Sequence, residues 1–126
     1  MKFKTAIIES EFEVSDGRLQ HILYSLDSFC LTNFDIEITI TSIYRDEDGS
    51  THSTNPVRAG DVRVQPDGGK MVFDYGQLKL IGEFLDHYIY DESRPHLNSY
   101  RIHPNKSSTG LHLHVQVNYN EFTKII

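Results

Sequence analysis

His112 and His114 stand two residues apart in the stretch LHLHVQV, residues 111–117. Side chains alternate between the faces of a strand, so Leu111, Leu113, Val115 and Val117 share one face and His112, His114 and Gln116 the other. With the apolar row turned to the core, two imidazoles stand side by side on the opposite face, at a spacing that lets both approach one ion or one substrate. A second group of candidate ligands lies earlier, in STHSTNPVRAGDV, residues 50–62. His52 sits in a loop broken by Pro56 and Gly60. Asp61 faces away from Val62 and Val64, and meets the histidine row if the two strands are neighbours. His, Asp and His suit Zn2+, and three protein ligands leave a fourth position for water, which the metal acidifies towards neutral pH. The same residues have a plainer reading, as polar groups of an exposed strand face and of a Pro/Gly turn.

Composition narrows the chemistry. The chain has 126 residues, one domain's worth, with a net charge of -6. That balance, with no basic stripe, does not suggest a nucleic-acid partner. Cys30 is the single cysteine, so a zinc site must be built from imidazole and carboxylate, and seven histidines are available for it. Hydrophobic residues make up 38% and mean hydropathy is -0.42, a soluble balance with no run long enough to span a membrane. The opening MKFKTAII carries two lysines, but its apolar part stops at Ile8 and acids follow at once, too short for a signal peptide. The chain is therefore expected to be made in the cytoplasm without an export signal.

The elements that must position these residues read as follows. Phe3 to Ile8 is expected as a first strand, extended by the alternation of Phe12 and Val14. Ser15 or Asp16 can cap a helix in which Leu19, Ile22, Leu23, Leu26, Phe29 and Cys30 recur at helical spacing. Ile36, Ile38 and Ile40 alternate with polar residues in a β-branched strand running to Tyr44, and DEDGS is a turn. A strand is expected around Asp61 to Gln65, then a PDGG turn, then Met71 to Phe73 as a hairpin arm. A second helix begins near Asp74, with Leu78, Ile81, Phe84, Leu85 and Tyr88 on one face. Residues 91–110 look irregular, and LHLHVQV closes the pattern. The order lacks regular βαβ units, so the fold class is α+β, with a small antiparallel or mixed sheet and two main helices.

Set out in order, the residues ITSIYR (40–45), STH (50–52), RAGD (58–61) and HLH (112–114) resemble the D-alanyl-D-alanine metallopeptidase and hedgehog signalling-domain superfamily. The similarity covers residues 15–118, and its specific part is about a dozen positions. It implies that His52, Asp61 and His114 are zinc ligands. His112 would steady an oxyanion or the substrate, and Arg45 would hold a substrate carboxylate or carbonyl with its fixed fork. The substrate implied is a peptide, in particular a peptidoglycan stem peptide, and the size and acidity of the chain suit a phage-type member reaching the wall through a holin or within a virion.

Two departures accompany the resemblance. Eight residues, Ser53 to Gly60, separate His52 from Asp61, more than is usual in that family. The general-base carboxylate of its hydrolases falls, in the two spacings known for the family, on Leu111 or Ser108, and neither is acidic. General-base help is worth about two to four orders of magnitude in rate. His96, His103, Asp91 and Glu92 are the substitutes within reach of the motif. Two functions are accordingly in view: a zinc peptidase, or a zinc-binding structural or binding domain of the same fold.

Overall fold

The computed structural model describes residues 1–46, 49–66, 68–91, 93, 100–103, 110–118 and 124–125. Its elements in chain order are β1 (Lys2–Phe3), α1 (Ala6–Glu13), α2 (Gly17–Phe34), β2 (Thr39–Ser42), β3 (Ala59–Gln65), α3 (Tyr75–Leu85), β4 (Tyr88–Ile89), β5 (Tyr100–His103), β6 (Leu111–Gln116) and β7 (Lys124–Ile125). Five strands form one sheet in the order β1-β2-β3-β6-β5. β1 and β2 are parallel and the other pairs antiparallel, so the sheet is mixed. β4 and β7 pair separately. The coarse α+β class holds, and among the described residues a short third helix, α1, joins the two longer ones.

The first strand is much shorter than its sequence suggests. It ends at Phe3, and the Thr5 side chain then accepts a hydrogen bond from Ile8 N and caps α1. Ala and Glu in AIIESEFE favour helix, and the cap satisfies one of its free N–H groups. Phe12 is buried near the end of this helix while Val14, past it, is 76% exposed, so the two are not a strand alternation. The proposed hairpin arm at Met71 to Phe73 is not a strand either. The chain does return beside β3, where Val72 N donates to Val64 O at 2.7 Å, and Phe73 is buried.

The two longer helices follow their signals. Asp16 caps α2, and Asp35 ends it in the left-handed conformation. Asp74 and Gln77 form a reciprocal capping box at the start of α3. Leu19, Ile22, Leu23 and Leu26 of α2 and Leu78, Ile81 and Leu85 of α3 pack with Ile38, Ile40, Val62, Val64, Leu113 and Val115 in one core. Burying each such aliphatic side chain contributes about 1.5–3 kcal/mol. The apolar row of β6 is thereby committed to the helices, and its histidine row is turned to the other side of the sheet. Buried Asp27 of α2 accepts from Ile38 N at 3.0 Å, holding the approach to β2 against the helix. No helix among the described residues is long and apolar enough to cross a membrane.

Candidate metal centre

Two neighbouring strands and one loop assemble the cluster. In the β3–β6 register Asp61 lies opposite His114 and Arg63 opposite His112. Directly opposed residues have Cβ atoms about 4.5–5.5 Å apart, and His114 Nδ1 lies 3.1 Å from Asp61 Oδ1. His52 arrives from the loop between β2 and β3. That loop is held by Arg45 N donating to His52 O at 3.0 Å, Arg58 N to Thr51 O at 3.1 Å, and His52 N to Ser50 Oγ at 3.1 Å. The His52 ring is fully buried. Its Nδ1 lies 2.6 Å from Ile43 O, and its Nε2 lies 3.3 Å from both Asp61 Oδ1 and His114 Nδ1.

Asp61 Oδ1, His52 Nε2 and His114 Nδ1 thus form a triangle with edges of 3.1, 3.3 and 3.3 Å. These are the three residues of the described chain that group as possible metal ligands. A tetrahedral zinc with bonds of about 2.0–2.1 Å sets its ligand atoms about 3.3 Å apart. The spacing therefore fits zinc, or another small divalent ion, with no rearrangement of the strands.

The outward nitrogens of both rings are tied to acceptors. A backbone carbonyl only accepts, so the hydrogen of a neutral His52 sits on Nδ1, facing Ile43 O, and Nε2 presents a lone pair. His114 Nε2 lies 3.1 Å from the amide oxygen of Gln116, which can accept the ring hydrogen there and leave the lone pair on Nδ1. With both rings neutral, three electron-rich atoms converge with no hydrogen between them. A cation satisfies that arrangement, and imidazoles oriented through their far nitrogens are the usual surroundings of a metal. Without metal, protons on the imidazoles must serve instead. Burial alone would raise the Asp61 carboxyl, but hydrogen bonds from His114 and His52 and the charge of His52 and His112 outweigh it. They hold the group well below the usual carboxylate range.

The second oxygen of Asp61 is engaged outside the triangle. Arg45 Nη1 lies 3.3 Å from Oδ2, and His112 Nε2 lies 3.7 Å from it. All five residues singled out in the sequence therefore meet at one carboxylate: His52, Asp61 and His114 as the donor set, His112 and Arg45 at its edge. Arg45 lies against Asp61, with its side chain 37% exposed. With the spacer from Ser53 to Gly60 between them, His52 Nε2 and Asp61 Oδ1 still meet at 3.3 Å. Leu111 lies on the helix side of the sheet, lining a groove of about 730 Å³ with Leu78, Gly82, Tyr100 and Ile102, away from the cluster.

Of the candidate bases, His96, Glu92 and Ser108's stretch lie outside the described residues. His103 pairs with His112 across β5 and β6 by backbone register. Asp91 accepts from Ser93 N and Ser93 Oγ. Sequence reasoning missed the Ile43 carbonyl and the role of Gln116. The first carries no side-chain signal, whereas Gln116 already stood on the histidine face. Comparison with protein-family models, curated proteins and solved structures found no match in any of the three.

Proposed function

We propose that the chain is a zinc-dependent peptidase-like domain of the D-alanyl-D-alanine metallopeptidase and hedgehog kind, hydrolysing an amide bond in peptidoglycan stem peptides. The single observation that supports it most is the triangle of Asp61 Oδ1, His52 Nε2 and His114 Nδ1, at 3.1–3.3 Å, in the motif order of that superfamily. His52, Asp61 and His114 would hold the zinc. Zinc bound there would supply Lewis acidity, polarising a carbonyl and acidifying water.

The remaining work falls to this chain's own side chains. His112, with its side chain 15% exposed, would donate to a carbonyl oxygen as negative charge develops on it. Arg45 fixes the outer oxygen of Asp61, and its planar fork, half in solvent, can also receive a carboxylate or carbonyl of the substrate. His103, opposite His112 in the strand register, is one candidate base.

A second reading follows from Leu111 and Ser108, where the family's acid would stand: a zinc domain of the same fold that binds without hydrolysing. The test has two stages. Tag-free protein should carry about one zinc per chain, lost in His114→Ala. The zinc-loaded protein should then release new amines from purified peptidoglycan, and a chelator should stop the release. Zinc without amine release across several wall chemistries favours the binding domain. Absence of zinc, with no rise in melting temperature on adding it, sinks both readings.

A further inference from the structure

Gln116 shares the face of His112 and His114, one alternation beyond the ligand, and neither the metal triangle nor the proposed chemistry uses it. Its amide oxygen lies 3.1 Å from His114 Nε2 and 3.3 Å from Thr51 Oγ1. Thr51 is the residue before His52, in the loop that delivers that ligand. One side chain therefore touches the ligand of β6 and the loop that carries the ligand of the β2–β3 connection.

We propose that Gln116 is a positioning residue for the metal centre: its amide oxygen accepts the Nε2 hydrogen of His114, fixing the tautomer that turns Nδ1 to the ion, while Thr51 holds the amide in place. The inference rests on the metal-centre reading and concerns metal binding alone, whatever reaction follows. The tautomer is what matters. A His114 hydrogen on Nδ1 would point into the triangle and block the lone pair that a metal needs. An acceptor at Nε2 competes with Asp61 Oδ1 for that hydrogen and makes the ring a stronger donor to the ion. The Thr51 hydroxyl, donating to the same oxygen, keeps the amide from rotating its NH2 towards the ring. His52 needs no such partner, because the Ile43 carbonyl at 2.6 Å does the equivalent work from the backbone.

Two substitutions separate accepting from space-filling. Gln116→Met keeps the approximate volume and has no strong acceptor. Gln116→Glu keeps the shape and can only accept when ionised. Zinc affinity is measured by competition with a chromophoric chelator near neutral pH, and the metal-free melting temperature is recorded alongside. Gln116→Met is expected to weaken zinc 10–100-fold with little change in the metal-free melting temperature. Gln116→Glu should bind at least as tightly as wild type. Nitrogen-15 NMR of the zinc-loaded protein should show the His114 hydrogen on Nε2 in wild type and in Gln116→Glu, and a mixture in Gln116→Met.

Equal zinc affinity in Gln116→Met and wild type overturns the proposal. So does a loss in Gln116→Glu as large as in Gln116→Met, since the amide would then be donating. Should Gln116→Met fail to fold, Thr51→Val carries the test, with a several-fold loss expected and wild-type affinity refuting it. Wild-type protein that binds no zinc would refute the metal-centre reading instead, a distinguishable failure.

Discussion

Replacing Asp61 with asparagine removes one charge at the point where four basic side chains meet, and its consequences can be worked through. Asp61 is 2% exposed and contacts His52, His114, Arg45 and His112. Removing one partner from a buried charge pair costs about 3–5 kcal/mol. The Arg45 contribution is screened, because that side chain is 37% exposed, so the lower end, about 3 kcal/mol, is expected for metal-free protein at neutral pH. For a domain of this size that is a fall of roughly 12 °C in melting temperature, at about 4 °C per kcal/mol.

The pH dependence has a definite sign. The Asp61 carboxyl is held below its ordinary range in the folded state. Its stabilisation is therefore fully present above the unfolded carboxylate value of about 3.9 and is lost as pH falls through the folded value. The gap between wild type and Asp61→Asn should be full at pH 6–7 and begin to close below about pH 4. Zinc adds a second readout. At a hundred times its dissociation constant a ligand stabilises by about 2.7 kcal/mol, or roughly 10 °C here, in wild type only. The assay is thermal unfolding by circular dichroism, with chelator and with zinc, from pH 3 to 7. Metal-free Asp61→Asn melting with wild type at pH 7, together with an undiminished zinc shift, would refute the account of the site.

Gly60→Ala should destabilise by about 1–3 kcal/mol in urea denaturation, because its new methyl would lie 3.1 Å from both Leu23 Cδ1 and Ile43 Cδ1, side chains buried in the core. Cys30 is fully buried and burial pushes its thiol up to about 12, so a thiol reagent should find no reactive group in native protein and one per chain in denaturant. Tyr100 donates to Asp86 at 2.9 Å, and burial and that acceptor push its phenol up to about 12. Tyr100→Phe should cost about 0.5–1.5 kcal/mol, a difference present below pH 10 and lost as pH rises through the folded value, read from paired denaturation curves. Zinc binding should release protons, since ligating imidazoles must be unprotonated, and calorimetry in buffers of different ionisation enthalpy counts them.

The two faces of β6 were legible because alternation in LHLHVQV is a local property, and α2 and α3 because their caps and periodicity are local too. Misreading Thr5 as part of a strand had a local cause. Ala6 to Ile8 is as apolar as a strand, and the cap that decides for helix is a single hydroxyl. The pairing of Asp61 with His114 is of another kind. It depends on which strands neighbour each other and in what register, 53 residues apart, and the sequence reached it through motif order rather than periodicity. Least legible were the contacts that finish the site. The carbonyl of Ile43 belongs to no residue type, and the hold of Arg45 on Asp61 exists only once the loop from β2 has folded back.

The sheet order places β3 and β6 between other strands on both sides, whereas His52 hangs on the loop that joins β2 to β3. Amide groups of doubly flanked strands exchange with solvent only through large openings, and those of a loop through small ones. Two of the candidate ligands are therefore expected in the slowest-exchanging part of the described chain and one in a faster part. Dissociation of an ion bound there should then follow opening at residues 49–58 rather than unfolding of the sheet, with residence time set by how firmly Thr51 and Arg58 are held.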